Sequence, residues 1–203
     1  MSKHFIYPFL MVLLACGMLS NPTPSASGET DKLNVRIDTI LSDLRIPWGM
    51  VFLPNGDMLF SERDGELRLY SEGKLHPDPI ADVPKVVFRG QGGLLDLELH
   101  PDYANNGWLY LSYSSPAASG EGGKGSNTAL MRARIRNHRL VDQEVLFKAS
   151  PNYGTAHHFG GRIEFDREGF VYLSVGDRGG RDEVQTLSTM RGKIIRLHDD
   201  GRI

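Results

Sequence analysis

His158 stands in the phrase Ala156-His-His-Phe-Gly-Gly161, directly ahead of the alternating strand phrase Arg162-Ile-Glu-Phe165. Loops at the entrance of a strand are where a scaffold usually carries its working side chains. An imidazole exchanges a proton near neutral pH, which suits a general base acting on a hydroxyl; the plainer alternative is a structural loop histidine. Asp177 closes the phrase Ser174-Val-Gly-Asp177 at what should be the same rim. A carboxylate there either orients the imidazole and stabilises its charged form or caps the Gly-rich turn that follows. Gln91, in Arg89-Gly-Gln-Gly-Gly93, offers an amide that both donates and accepts. Its neighbours Gly92 and Gly93 permit close backbone approach or simply make a tight turn before a buried strand.

Three strand–turn–strand phrases must position these residues. The first runs Trp48-Gly-Met-Val-Phe-Leu53, the turn Pro54 to Asp57, then Met58-Leu-Phe-Ser-Glu62. The second is Leu95 to Leu99, a turn from His100 to Gly107, then Trp108-Leu-Tyr-Leu-Ser-Tyr113. The third is Arg162 to Phe165, the turn Asp166 to Gly169, then Phe170-Val-Tyr-Leu-Ser-Val175. Period-two alternation means that each strand buries one face. Phe52, Leu99 and Phe165 hold the same place in each phrase, at spacings of 47 and 66 residues. The first spacing suits a propeller blade and the second a blade with an insertion, for which the Gly/Ser-rich stretch Ser114 to Asn127 is the obvious candidate. Further strands are expected over Glu66–Tyr70, Ala129–Ile135 and Gly192–Leu197, and no long stretch has helical periodicity with caps. The expectation is an all-β chain with about three blades of a β-propeller; a sandwich or an open meander is the alternative. Half a propeller would leave open sheet edges, so the sequence is expected to be the N-terminal part of a longer protein and inactive by itself.

Of 203 residues, 23 are basic and 25 acidic, 40% are hydrophobic and one is cysteine. That composition argues against a disordered polyelectrolyte and a disulfide framework, and the near-neutral balance gives no reason to expect nucleic acid. The apolar run Phe5 to Leu14 is too short for a stop-transfer helix but has the length of a signal-peptide core. It ends in Leu13-Leu-Ala-Cys16, similar to a bacterial lipobox, which makes Cys16 the expected lipidation site. An ordinary cleaved signal with an incidental cysteine is the alternative. The expected organisation is a signal over 1–16, a Pro/Ser-rich tether over 17–32 and a folded domain over 33–203. The expected location is the periplasm, as an outer-membrane-anchored lipoprotein.

Several phrases, taken together and in order, resemble the soluble glucose/sorbosone dehydrogenases that depend on pyrroloquinoline quinone (PQQ), especially the aldose sugar dehydrogenase branch. They are Ile46-Pro-Trp-Gly49 with Leu53-Pro-Asn-Gly56, Ser61-Glu-Arg-Asp-Gly65 and Gly90-Gln-Gly-Gly-Leu-Leu-Asp96. Leu99-His-Pro-Asp-Tyr103, Asn106-Gly-Trp-Leu-Tyr110, His158-Phe-Gly-Gly-Arg162, Ser174-Val-Gly-Asp-Arg178 and Gly192-Lys-Ile-Ile-Arg196 complete the set. The resemblance covers nearly everything from about residue 35 onward. It implies a six-bladed β-propeller with PQQ in a central top-face pocket and calcium beside it. His158 would be the base that removes the C1 hydroxyl proton of an aldose while hydride passes to the quinone, giving a lactone. Gln91 matches a glutamine that points into the pocket, against a sugar hydroxyl or a quinone oxygen. His157 stands where relatives carry an acidic residue that touches substrate, a departure that loosens any link to glucose in particular. Arg162 would neutralise cofactor carboxylates, or else form a structural ion pair.

Gly179-Gly-Arg-Asp-Glu183 contains two acidic residues but lacks the alternating oxygen ligands of a calcium loop; the resemblance implies that calcium is held largely by groups from later blades, beyond Ile203. His76, His100, His138 and His198 have no metal-like spacing and read as structural. A calcium-dependent propeller lactonase and a noncatalytic propeller binding module stay open as alternatives. No Gly-x-Ser-x-Gly elbow or Gly-x-Gly-x-x-Gly phrase supports a serine hydrolase or a Rossmann-type dehydrogenase.

Overall fold

The residues with period-two alternation form three antiparallel sheets, each a simple up-and-down meander. The first contains β1 (Pro47–Phe52), β2 (Met58–Glu62), β3 (Glu66–Ser71) and the short β4 (Lys74–Leu75). The second contains β5 (Leu94–Leu99), β6 (Leu109–Pro116), β7 (Ser126–Arg136) and β8 (Arg139–Lys148). The third contains β9 (Gly160–Phe165), β10 (Val171–Val175) and β11 (Lys193–Leu197). This computed structural model describes residues 35–203. The expected signal, tether and lipidation site Cys16 lie outside the described residues. All three sheets belong to one unit, Thr39–Ile203, and the separate unit that ends at Asp38 is described only from residue 35.

The sheets lie side by side as propeller blades. β5 packs against β1 on one flank and β9 on the other, so the first strands of the three sheets line a common inner edge. Alternation along β6 serves both neighbours. Leu109, Leu111 and Tyr113 face a core shared with Leu59, Leu67, Leu94 and Leu97 of the first two sheets. Trp108, just ahead of the strand, and Tyr110 face a second core with Ile163, Val171, Leu173 and Leu197 of the third.

Each inner strand has a register irregularity at the same place, between Pro47 and Met50, between Leu94 and Leu97, and opposite Leu173 and Val175. A serine from the second strand fills each one. Gly49 N–H donates to Ser61 Oγ at 3.0 Å, Asp96 N–H to Ser112 Oγ at 3.0 Å, and Arg162 N–H to Ser174 Oγ at 2.9 Å. Two of these hydroxyls donate onward into the next sheet, Ser61 to the Leu95 carbonyl at 2.5 Å and Ser112 to the Gly161 carbonyl at 2.6 Å. A buried amide without such an acceptor costs about 1–3 kcal/mol. The bridges therefore hold adjacent sheets in register while allowing the inner strands to bulge.

Two expectations need correction. The stretch Ser114 to Asn127 is not all inserted loop: β6 and β7 continue pairing through Pro116↔Ser126, leaving only 117–125 outside the ladder. β8 and β4 were absent from the expected strands. β8 is the outer strand of its sheet, with Asp142, Gln143 and Glu144 exposed in succession and two shifts in its pairing with β7, so its alternation is broken.

Candidate functional site

The loops that enter β5 and β9 and those that leave β2, β6 and β10 gather at one end of the three sheets. Arg63 Nη1 donates to the Gly90 carbonyl and Arg89 Nη2 to that of Gly154. Gln91 N–H donates to the Ala156 carbonyl at 2.7 Å. Gly90 is required at this crossing: its φ is 59°, and a side-chain carbon there would overlap Ala156.

Gln91 and His158, 67 residues apart, meet here. Gln91 Oε1 accepts the His158 backbone N–H at 2.7 Å. The amide oxygen is thereby used to hold the loop, and its NH₂ group, without a partner among the described residues, is what remains for a ligand. His158 has a φ of 55°, in the left-handed region that a side chain rarely adopts. Its Nδ1 lies 2.8 Å from Asp177 Oδ1, and half of its side chain is exposed. The same Asp177 oxygen accepts the Gly179 N–H at 2.8 Å. Orienting the imidazole and capping the glycine turn are thus one arrangement. The Gly179 N–H and then His158 hold the Asp177 carboxyl below the usual aspartate range. An ionised carboxylate only accepts, so Nδ1 carries the hydrogen and Nε2 of the neutral ring keeps its lone pair.

His157 is exposed beside His158, the two rings meeting edge to face with centroids 4.5 Å apart. Its Nε2 sits 2.8 Å from where a Cβ on Gly179 would lie, so a glycine makes room for the ring. Arg162 is placed apart from this group. It pairs with Glu164 Oε1 at 2.5 Å and lies 3.6 Å from Asp96 Oδ2, in the ion-pair arrangement. It lines a 280 Å³ cavity at the inner edge with Trp48, Asp96, Gly160 and Ser174. Burial is the largest influence on Asp96 and pushes its carboxyl above the usual range.

Sequence reasoning assigned no role to Arg178, yet its side chain is buried to 1% exposure behind the His158 loop. The sequence shows only a charged residue in a glycine turn, which ordinarily faces solvent. Among the described residues no group of three or more His, Cys, Asp or Glu side chains is placed to hold a metal. The rings of His76 and His138 lie against each other, tilted by 32° with centroids 3.9 Å apart, and His76 Nδ1 and His138 Nε2 both meet the Asp78 carbonyl, a structural use.

Residues 44–203 match the family model described as Glucose / Sorbosone dehydrogenase. The chain is 37% identical over 172 residues to the aldose sugar dehydrogenase YliI of Escherichia coli K12, covering 83% of this chain and 45% of that protein. The solved apo-form of the soluble E. coli aldose sugar dehydrogenase superposes with a TM-score of 0.72 at 38% identity, covering 79% of this chain and 46% of that one. The PQQ-bound aldose sugar dehydrogenase of Streptomyces coelicolor superposes with a TM-score of 0.69 at 28% identity, covering 81% and 48%. The chain spans about half the length of the curated relatives it matches.

Proposed function

The chain belongs to the glucose/sorbosone dehydrogenase family, and from that premise we propose that the whole protein is a quinoprotein that oxidises the C1 hydroxyl of aldoses to lactones. The observation that carries this reading is the 2.8 Å contact of His158 Nδ1 with Asp177, which leaves Nε2 open at the rim. When bound, PQQ supplies the carbon that accepts hydride. The residues here fit one wall of such a site: the NH₂ of Gln91, whose oxygen holds the His158 loop, would be available to a quinone or sugar oxygen, and the exposed ring of His157 would meet substrate. His158 Nε2 takes the C1 hydroxyl proton as the C1–H electron pair leaves with its hydrogen, and the C1–O bond becomes a carbonyl. Asp177 stabilises the imidazolium that forms. Without a base the departing hydride would leave a positively charged carbon; a positioned base contributes ~10²–10⁴-fold. Arg162 is already paired with carboxylates of its own chain, and a role toward cofactor carboxylates would require exchanging them. Among the described residues no group of three or more His, Cys, Asp or Glu side chains is placed to hold calcium.

Trp48, Met50 and Phe52 of β1 and Ile194 of β11 expose apolar surface on the two flanks of the sheet array. Further blades, closing a six-bladed ring, would cover both flanks, and the present 203 residues alone would be inactive. Cys16 would anchor the protein in the periplasm by its lipid; equal partitioning of wild type and Cys16→Ser into the aqueous phase of a detergent separation overturns that assignment.

The activity is tested on the whole protein with and without added PQQ, by aldose-dependent reduction of an artificial electron-acceptor dye. Turnover that needs both sugar and quinone is expected. Tight sugar binding with no turnover under any acceptor favours a binding module instead.

A further inference from the structure

Two loops must stay in register for the His158–Asp177 contact to exist. One, 155–159, leads into β9; the other, 176–179, leaves β10. Their backbones meet sparsely: Gly176 N–H donates to the Phe159 carbonyl at 2.9 Å, and Arg178 N–H reaches the His158 carbonyl only at 3.4 Å. The Thr155 hydroxyl donates to the Arg178 carbonyl at 3.0 Å.

The Arg178 side chain crosses the same junction. Its Nη2 donates to the Thr155 carbonyl, and its guanidinium carbon lies 3.4 Å from the centre of the Phe159 ring. Nε and Nη1 are buried without partners among the described residues, and no carboxylate pairs with the group. Burial first, then the nearby Arg191 and Arg89, pull its pKa down to about 10. Burying a cation without an anion is expensive, so ion pairing does not explain its placement. What it does hold is the loop on either side of the two histidines, at Thr155 and Phe159. His158 and Arg178 both have left-handed backbones, φ 55° and 52°; such conformations persist where the surroundings over-determine them.

We propose that Arg178 is the positioning residue of the His158–Asp177 pair, bolting the loop that bears the histidine to the loop that bears its carboxylate. The proposal rests on the reading of His158 as the base. Arg178 acts through that pair and touches no reacting atom.

The test uses the whole protein loaded with PQQ and the variants Arg178→Met and Arg178→Lys, each also combined with His158→Ala. Misplacement of a reacting group by about 1 Å costs on the order of 10²-fold. Arg178→Met should therefore lower kcat by about 10- to 100-fold with the sugar KM changed by less than about threefold. Arg178→Lys, which keeps the charge but not the planar face, should fall between wild type and Met. In the His158→Ala background either change should cost nothing more, because residues that act as a unit are not additive. A kcat within about twofold of wild type, or a loss that multiplies with that of His158→Ala, overturns the proposal. If Arg178→Met does not fold, the Lys variant and its double mutant carry the same test. Failure of the base reading is separate: there, His158→Ala itself keeps full turnover.

Discussion

The inner edge of the sheets and the rim above it are built on opposite rules. Along the edge, Ser61, Ser112 and Ser174 each receive the bulged amide of their own inner strand, and the geometry repeats within 0.1 Å. At the rim nothing repeats. Gln91 enters from the second sheet, His158 and Asp177 from the third, and the first contributes Arg63 to the Gly90 carbonyl. Repetition keeps the sheets in register, and the loops, freed from that task, diverge to bring unlike side chains together.

Substitutions at the two places should therefore differ in kind. The largest effect is expected at the rim. In the whole protein His158→Ala should lower kcat by ~10²–10⁴-fold while PQQ binding, followed by its absorbance, stays intact. Unchanged turnover would remove the rim from the chemistry and erase the contrast.

At the inner edge, Ser112→Ala strips the Asp96 amide of its acceptor and the Gly161 carbonyl of its donor. Stability in urea should fall by about 1–3 kcal/mol, with kcat and KM kept. A kinetic defect without a loss of stability would show that the edge also serves the chemistry.

A smaller effect is expected at His157, exposed beside His158. His157→Ala should act mainly on KM, by about tenfold or less, since an added contact to substrate is worth roughly 1 kcal/mol. A fall in kcat equal to that of His158→Ala would reverse the two roles.

The smallest effect separates edge from rim by pH. Asp96 at the edge has its carboxyl raised by burial, whereas Asp177 at the rim has its carboxyl lowered. A raised value means that the folded state binds the proton more tightly than the unfolded chain. Asp96 thus favours folding below the ordinary aspartate pKa, and that contribution is lost as pH rises through the raised value. Asp177 has the opposite sign, its contribution present above the ordinary value and lost as pH falls through the lowered one. Asp96→Asn retains an oxygen acceptor for the Ile163 N–H but does not titrate. Its urea midpoint relative to wild type should climb as pH rises from the ordinary aspartate pKa of about 3.9 through the raised value. A flat difference would mean that Arg162 already cancels the burial.

The strands were legible because alternation needs only neighbouring residues. Phe52, Leu99 and Phe165 mark the three inner strands, whereas β8 escaped notice because an outer strand can expose Asp142, Gln143 and Glu144 in a row. The three serines stand in plain view at the same place in each phrase. Their use was hidden because it consists of bonds to the adjacent sheet. The rim was legible as residue types but not as partnerships. A glutamine and a histidine 67 residues apart become one unit only through the backbone N–H that joins them. Arg178 was opaque for a related reason: Phe159 covers it, and nothing local distinguishes a covered arginine from a solvated one.

The serine bridges have a direction. The hydroxyls of Ser61 and Ser112 each take a hydrogen bond from their own sheet and pass one to the next, from the first sheet to the second and from the second to the third. Such sheets behave like meshed gears. If one inner strand slips by a residue, its neighbour's hydroxyl loses the carbonyl that it needs, and the error cannot be absorbed where it arose. A single choice of tooth then sets all three, and the loops that carry Gln91 and His158 inherit their alignment from a mechanism that never touches them.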